Sequence, residues 1–116
     1  MIELELPYPP STNRLYRRVG PRTLLSKEGR TYRDQVRLIA AASGITAFTG
    51  PVELELLLYP PDRRRRDADN SLKAVCDALE KAGAYEDDSQ IVKLTVEKKD
   101  PVPGGRAIVR IREAEA

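Results

Sequence analysis

Three consecutive stretches constrain this chain most: VELELLLY at 52–59, a helix-periodic run after Asn70, and QIVKLTVEKK at 90–99. In the first, Val52, Leu54, Leu56 and Leu58 fall on alternate positions, so an extended strand has one apolar face. After Asn70, Leu72, Val75, Cys76 and Leu79 recur at i, i+3, i+4 and i+7, which is one helix face, and Gly83 supplies the stop. A strand, a helix and a strand in that order can return the second strand beside the first.

The remaining segments fill in around this unit. IELEL at 2–6 has the period-2 pattern of a half-buried strand, and PYPPSTNR breaks regular structure because its prolines lack backbone donors. TLLS reads as a short strand, with Ser26 placed to cap a helix over 27–43 whose Tyr32, Val36, Ile39, Ala40 and Ser43 share one side. RAIVRIRE is a further strand, and DPVPGG before it reads as a hairpin loop. The tail REAEA is expected to fray. Residues 1–116 then make one domain of the α/β or α+β class. Its expected architecture is a small mixed sheet of four to five strands with two helices packed on one face.

Composition narrows the chemistry. With 41% hydrophobic and 33% charged residues the chain reads as a soluble protein, and no apolar run approaches the ~20 residues of a membrane span. One cysteine, Cys76, allows no internal disulfide, and it lies on the apolar helix face as a core residue. These features, with no signal-peptide pattern in MIELELPYPP, predict a cytoplasmic location. There is no histidine, which removes the commonest general base and zinc ligand and rules out Cys/His and Ser-His-Asp sites. An enzyme built on this chain must use carboxylates, lysine, arginine, tyrosine or a metal held by oxygen atoms. Net charge is only +2, but residues 1–37 carry eight Lys/Arg against four Asp/Glu, and residues 63–66 are all arginine. Such local basic surface suits a polyanion, although a solvated charged face has the same composition.

The run RRRRDADNSLKAVCDALEKAGAYEDDSQ sets those arginines against Asp67 and Asp69, with Asp87 and Asp88 following. If 66–69 continue extended, Asp67 and Asp69 share a face and the chain can return Asp87-Asp88 to a neighbouring position. Converging carboxylates suit a hard divalent cation such as Mg²⁺. The structural alternative is that Asp69 or Asn70 caps the helix, that Asp69-Lys73, Lys73-Asp77 and Asp77-Lys81 are i,i+4 pairs, and that YEDDSQ is a polar turn. An EF-hand fails, because Leu72 and Ala78 stand where its Gly and Glu belong. An Asp-x-Asp phosphatase needs a larger domain. Tyr16, between cations in NRLYRR, offers either a stacking surface or partly buried packing.

PYPPSTNRLYRR, RRRRDADNSLKAVCDALEKAG and DDSQIVK together resemble the RusA-type Holliday-junction resolvases, over nearly the whole chain and with the spacing between blocks kept. The resemblance implies a metal-dependent endodeoxyribonuclease, often prophage-encoded, that acts as a homodimer with Mg²⁺ or Mn²⁺ and resolves four-way junctions by paired nicks. It assigns metal binding and catalysis to Asp67, Asp69 and Asp88, and a catalytic lysine to Lys73. Asn70 and Asp87 would support these ligands, while Asn13, Arg14, Arg17, Arg63, Arg64, Arg65 and Arg66 would contact branched DNA. The rival expectations are a non-catalytic branched-DNA-binding module and a nuclease that prefers flaps.

Overall fold

A computed structural model describes residues 1–114 of the chain. Its elements, in order, are β1 (Ile2–Leu6), α1 (Thr12–Leu15), β2 (Tyr16–Val19), β3 (Arg22–Leu25), α2 (Lys27–Ser43), β4 (Val52–Tyr59), α3 (Leu72–Lys81), β5 (Ile91–Lys98) and β6 (Arg106–Glu113). Short 3-10 turns at Ala68–Ser71 and Asp88–Gln90 precede α3 and β5. The strands form a four-stranded sheet in the order β1-β6-β4-β5 and a separate two-stranded hairpin, β2-β3. The result is a mixed α+β fold.

The alternating strands set this arrangement. Leu4 and Leu6 of β1, Val52, Leu54, Leu56 and Leu58 of β4, and Ala107, Val109 and Ile111 of β6 are all buried in one cluster. Tyr32 and Val36 of α2 and Val75, Ala78 and Leu79 of α3 complete it from the same side. The other face of the sheet is an ion-pair ladder: Arg110 reaches Glu3 at 2.7 Å and Glu55 at 2.8 Å, and Arg112 reaches Glu53 at 2.7 Å. Both longer helices must therefore sit on the apolar face, as expected.

Local signals act as the sequence predicts along α2. Ser26 Oγ accepts the Gly29 amide at 3.0 Å, and Gly44, at φ 72°, ends the helix in the left-handed region that a side chain would resist. Three expectations are corrected. PYPPSTNR contains a helix: Ser11 starts α1, with the Leu15 amide bonded to its carbonyl at 2.9 Å. DPVPGG is not a hairpin loop, because β6 pairs with β4 and β1 and never with β5. Three inward apolar residues place β6 in the middle of the sheet, and β5, parallel to β4, lies at the edge. Of the tail expected to fray, Arg112 and Glu113 belong to β6, while residues 115–116 lie outside the described residues.

Candidate active site

Beyond β4 the chain turns on Asp62. Its Oδ1 accepts the Arg64 amide at 2.9 Å and pairs with the Arg66 guanidinium at 2.7 Å, which holds the Asp62 carboxyl down to about 2. Arg66 also lies over the Tyr8 ring, 5.7 Å from its centroid, so this arginine is committed within the protein. Arg63, Arg64 and Arg65 are exposed. The Thr12 hydroxyl donates to the Asn70 carbonyl at 3.0 Å, which fixes α1 against the 3-10 turn. Asn13 and Arg14 on α1, and Arg17 on β2, are exposed. Arg14 and Arg64 line one groove with Tyr8, Ser11 and Asn70.

Asp67 and Asp69 stand at this turn, both exposed. The extended run expected through them stops at Asp67, and residues 68–71 coil into the 3-10 turn. Neither Asp69 nor Asn70 caps α3; the N-cap position belongs to Ser71, with no side-chain bond. The carboxylates at the turn are thus free of that structural duty.

Lys73 pairs with Asp77 one helical turn on, its ammonium 3.6 Å from Oδ2. The Tyr16 hydroxyl donates to the same oxygen at 3.2 Å. Asp77, and then Tyr16, push the Lys73 ammonium above its ordinary range, so it remains charged. Tyr16 packs against the core rather than offering a free stacking face. Burial first, and Asp77 second, raise its phenol.

At the far end of α3, Glu80, Asp87 and Asp88 offer carboxylate oxygens within 4.8 Å of one another. The Asp87 side chain accepts the Ser89 amide at 2.8 Å and forms a capping box with Gln90, which gives it a plain structural task. Glu80 Oε1 accepts the Asp88 amide at 2.9 Å. Burial, then Glu80, then Asp87 raise the Asp88 carboxyl. Such an all-oxygen set fits a hard divalent cation. Cys76 nearby has its thiol pushed up to about 11 by burial, which leaves it inert.

The expected convergence of Asp88 with Asp67 and Asp69 does not occur within one chain. β5 runs parallel to β4, so Asp88 precedes the start of β5 while Asp67 follows the end of β4. Lys98, at the other end of β5, donates to the Arg66 carbonyl at 2.6 Å. The ten residues of α3 span about 15 Å at ~1.5 Å each, and that length lies between the two acidic sites. They form the two ends of a ridge along α3, with Lys73 and Asp77 between. Sequence reasoning missed Glu80 and the Tyr16–Asp77 contact. Glu80 stands three residues beyond Asp77 and seven beyond Lys73, a spacing that marks it as sharing their face.

Comparison with known proteins supplies a family for this arrangement. The profile described as Endodeoxyribonuclease RusA matches residues 7–112. Crossover junction endodeoxyribonuclease RusA of Shigella sonnei is 46% identical over 111 residues, covering 95% of this chain and 92% of that protein. The Escherichia coli K12 protein of the same name gives the same identity and coverage. That of Enterobacteria phage 82 is 45% identical, again over 95% of this chain and 92% of its own. Matched across nearly its whole length, the chain belongs to the RusA endodeoxyribonuclease family.

Proposed function

We propose that this chain is a metal-dependent endodeoxyribonuclease that resolves four-way (Holliday) junctions by paired symmetric nicks. The observation that carries this reading is the α3 ridge, with acids at both ends, a charged lysine between them and exposed arginines at one end. Asp67, Asp69 and Asp88 would hold Mg²⁺, for which Mn²⁺ can substitute, with Asn70 and Asp87 supporting them. The bound ion supplies a polarised water and neutralises charge on the phosphate. Lys73 offers a fixed positive charge to the phosphate oxygens as negative charge builds in the transition state. Arg63, Arg64, Arg65, Arg14 and Arg17 hold the backbone through charge-assisted bonds, joined by Asn13. Arg66, tied to Asp62 and Tyr8, instead stiffens the turn that carries Asp67.

Acids at opposite ends of α3 can serve one phosphate only if a second copy brings its own ridge alongside, reversed by a two-fold axis. The edge strand β5 suits that contact. It pairs on one side only, and Val92 and Leu94 on it are 62% and 41% exposed. Paired antiparallel with its copy about Thr95, it sets Leu94 against Val96 and Lys93 against Glu97 on the second protomer. The two α3 helices then run antiparallel on one face of a joined sheet. Two sites related by the axis account for two symmetric nicks. Cleavage of a synthetic four-way junction, a flap and a linear duplex, each with Mg²⁺ and with chelator, tests the function. Nicks confined to the junction and requiring the metal are expected. Binding without cleavage under every condition, or equal cleavage of flap and junction, overturns the reading.

A further inference from the structure

Tyr16 and Asp77 make a contact that no metal-binding or DNA-binding role requires. Tyr16 is the first residue of β2, at the base of the hairpin that carries the exposed Arg17, Arg18 and Arg22. Its hydroxyl donates to Asp77 Oδ2 at 3.2 Å across a sequence distance of 61 residues. The same carboxylate lies 3.6 Å from the Lys73 ammonium. A lysine on an exposed helix face has four rotatable side-chain bonds, and a lone i,i+4 partner contributes only about 0.2–0.5 kcal/mol towards fixing it. Asp77 is itself half-exposed, so on its own it would also sample several rotamers. The phenol, anchored by a ring packed on the core, removes that freedom from the carboxylate.

We propose that Tyr16 and Asp77 are positioning residues for Lys73, so that the basic β2-β3 hairpin, when it engages DNA backbone, is in register with the lysine that meets the cleaved phosphate. This rests on the reading of Lys73 given above. The hairpin base is held rigidly enough for the role: the Ser26 amide donates to the Leu15 carbonyl at 2.8 Å, and Leu25 opposes Tyr16 in the ladder. The phenol remains protonated, since burial and the adjacent carboxylate both raise it, and a protonated phenol is the state that donates. A tyrosine there merely to dock the hairpin would need only its ring.

The test is a double-mutant cycle on single-turnover junction cleavage in Mg²⁺, with junction affinity measured separately in chelator. Tyr16→Phe and Asp77→Asn should each lower the cleavage rate about tenfold and leave affinity within about twofold. Asp77→Glu should recover a large part of the loss. In a Lys73→Ala background, Tyr16→Phe should have no further effect, because the residue acts only through the missing ammonium. Equal fold-losses with and without Lys73, or affinity falling as far as the rate, would show a purely structural contact and overturn the positioning role. Full cleavage by Lys73→Ala alone would instead remove the lysine from the reaction, a failure of the underlying reading and visible as such. Melting curves of Asp77→Asn, a half-exposed isosteric change, guard against a loss caused by unfolding.

Discussion

At Asp88 the folded chain gathers three carboxylates that water would keep apart, Glu80, Asp87 and Asp88, within 4.8 Å. Two of them have structural bonds, since Asp87 caps the turn and Glu80 accepts the Asp88 amide. The Asp88 carboxylate is the one whose charge the fold tolerates poorly, its carboxyl being raised by burial, by Glu80 and by Asp87. A raised carboxyl binds its proton more tightly folded than unfolded, so its charge lowers stability as pH rises through its range. Asp88→Asn should therefore melt a few degrees higher than the parent in chelator at neutral pH, an effect of somewhat under ~1 kcal/mol at so exposed a site. That gap should close towards acid pH. Mg²⁺ should raise the melting temperature of the parent more than that of the variant. A variant of lower stability with the parent's response to Mg²⁺ would reduce Asp88 to a turn residue. The resemblance names Asp88 as a ligand and Asp87 as its support; the structure adds a capping task for Asp87 that no one-dimensional pattern shows.

The hairpin and α1 depend on one glycine. A Cβ at Gly29 would lie 2.7 Å from the Leu15 carbonyl oxygen and 2.9 Å from Leu25 Cδ1, so only a residue without one lets α2 pass beneath the hairpin base. Gly29→Ala improves helix propensity yet should destabilise the protein by about 1–3 kcal/mol, because the backbone oxygen cannot step aside. Denaturant titration checks this, and a stabilised variant would show that the hairpin is not seated as described. Elements of this kind were the least legible in the sequence. β4, α2, β5 and β6 announce themselves through sustained periodicity over eight or more residues. α1 and β2 have four residues each, too few for any period, and are held by tertiary bonds such as Thr12 to Asn70. The DPVPGG loop misled for a different reason. Turn residues mark where a chain bends, but the partner of the next strand is chosen by burial, and β6 buries Ala107, Val109 and Ile111 between β1 and β4.

At the scale of the whole molecule, the sequence singled out Asp67, Asp69 and Asp88 as candidate ligands but not the distance between them. Strand order within the crossover unit was legible; the parallel direction of β5, which sends Asp88 to the opposite end of α3, has to be followed through the connection to be seen. That separation is the strongest reason to expect a working dimer, and β5 is where it can be broken. Leu94→Glu puts a charge on an already exposed position and should yield a folded monomer in light scattering, without nicking activity. If each protomer neutralises ~3–4 phosphates, the slope of log affinity against log salt should fall from about −5 to −7 for the dimer to about −3 for this monomer. A Leu94→Glu monomer that cleaves at the parental rate would sink the two-fold arrangement.

The sharper experiment mixes two inactive proteins. Suppose each active centre joins Asp67 and Asp69 of one protomer with Asp88 of the other. A heterodimer of Asp69→Asn with Asp88→Asn then concentrates both defects in one centre, and the second centre is assembled from intact residues. Each variant homodimer should be dead, because every centre in it lacks a ligand, while junction binding through the arginines persists within a few-fold. After mixing and subunit exchange, nicking should reappear at one strand of the junction and not as paired cuts, in proportion to the heterodimer formed. Centres built within single chains predict the opposite, since each protomer of the heterodimer would carry its own lesion and no mixture could cleave. Strand-resolved cleavage of an end-labelled junction reads the difference directly. A mixture as inactive as its parents, with subunit exchange verified, would mean that Asp88 and Asp69 do not meet across the axis.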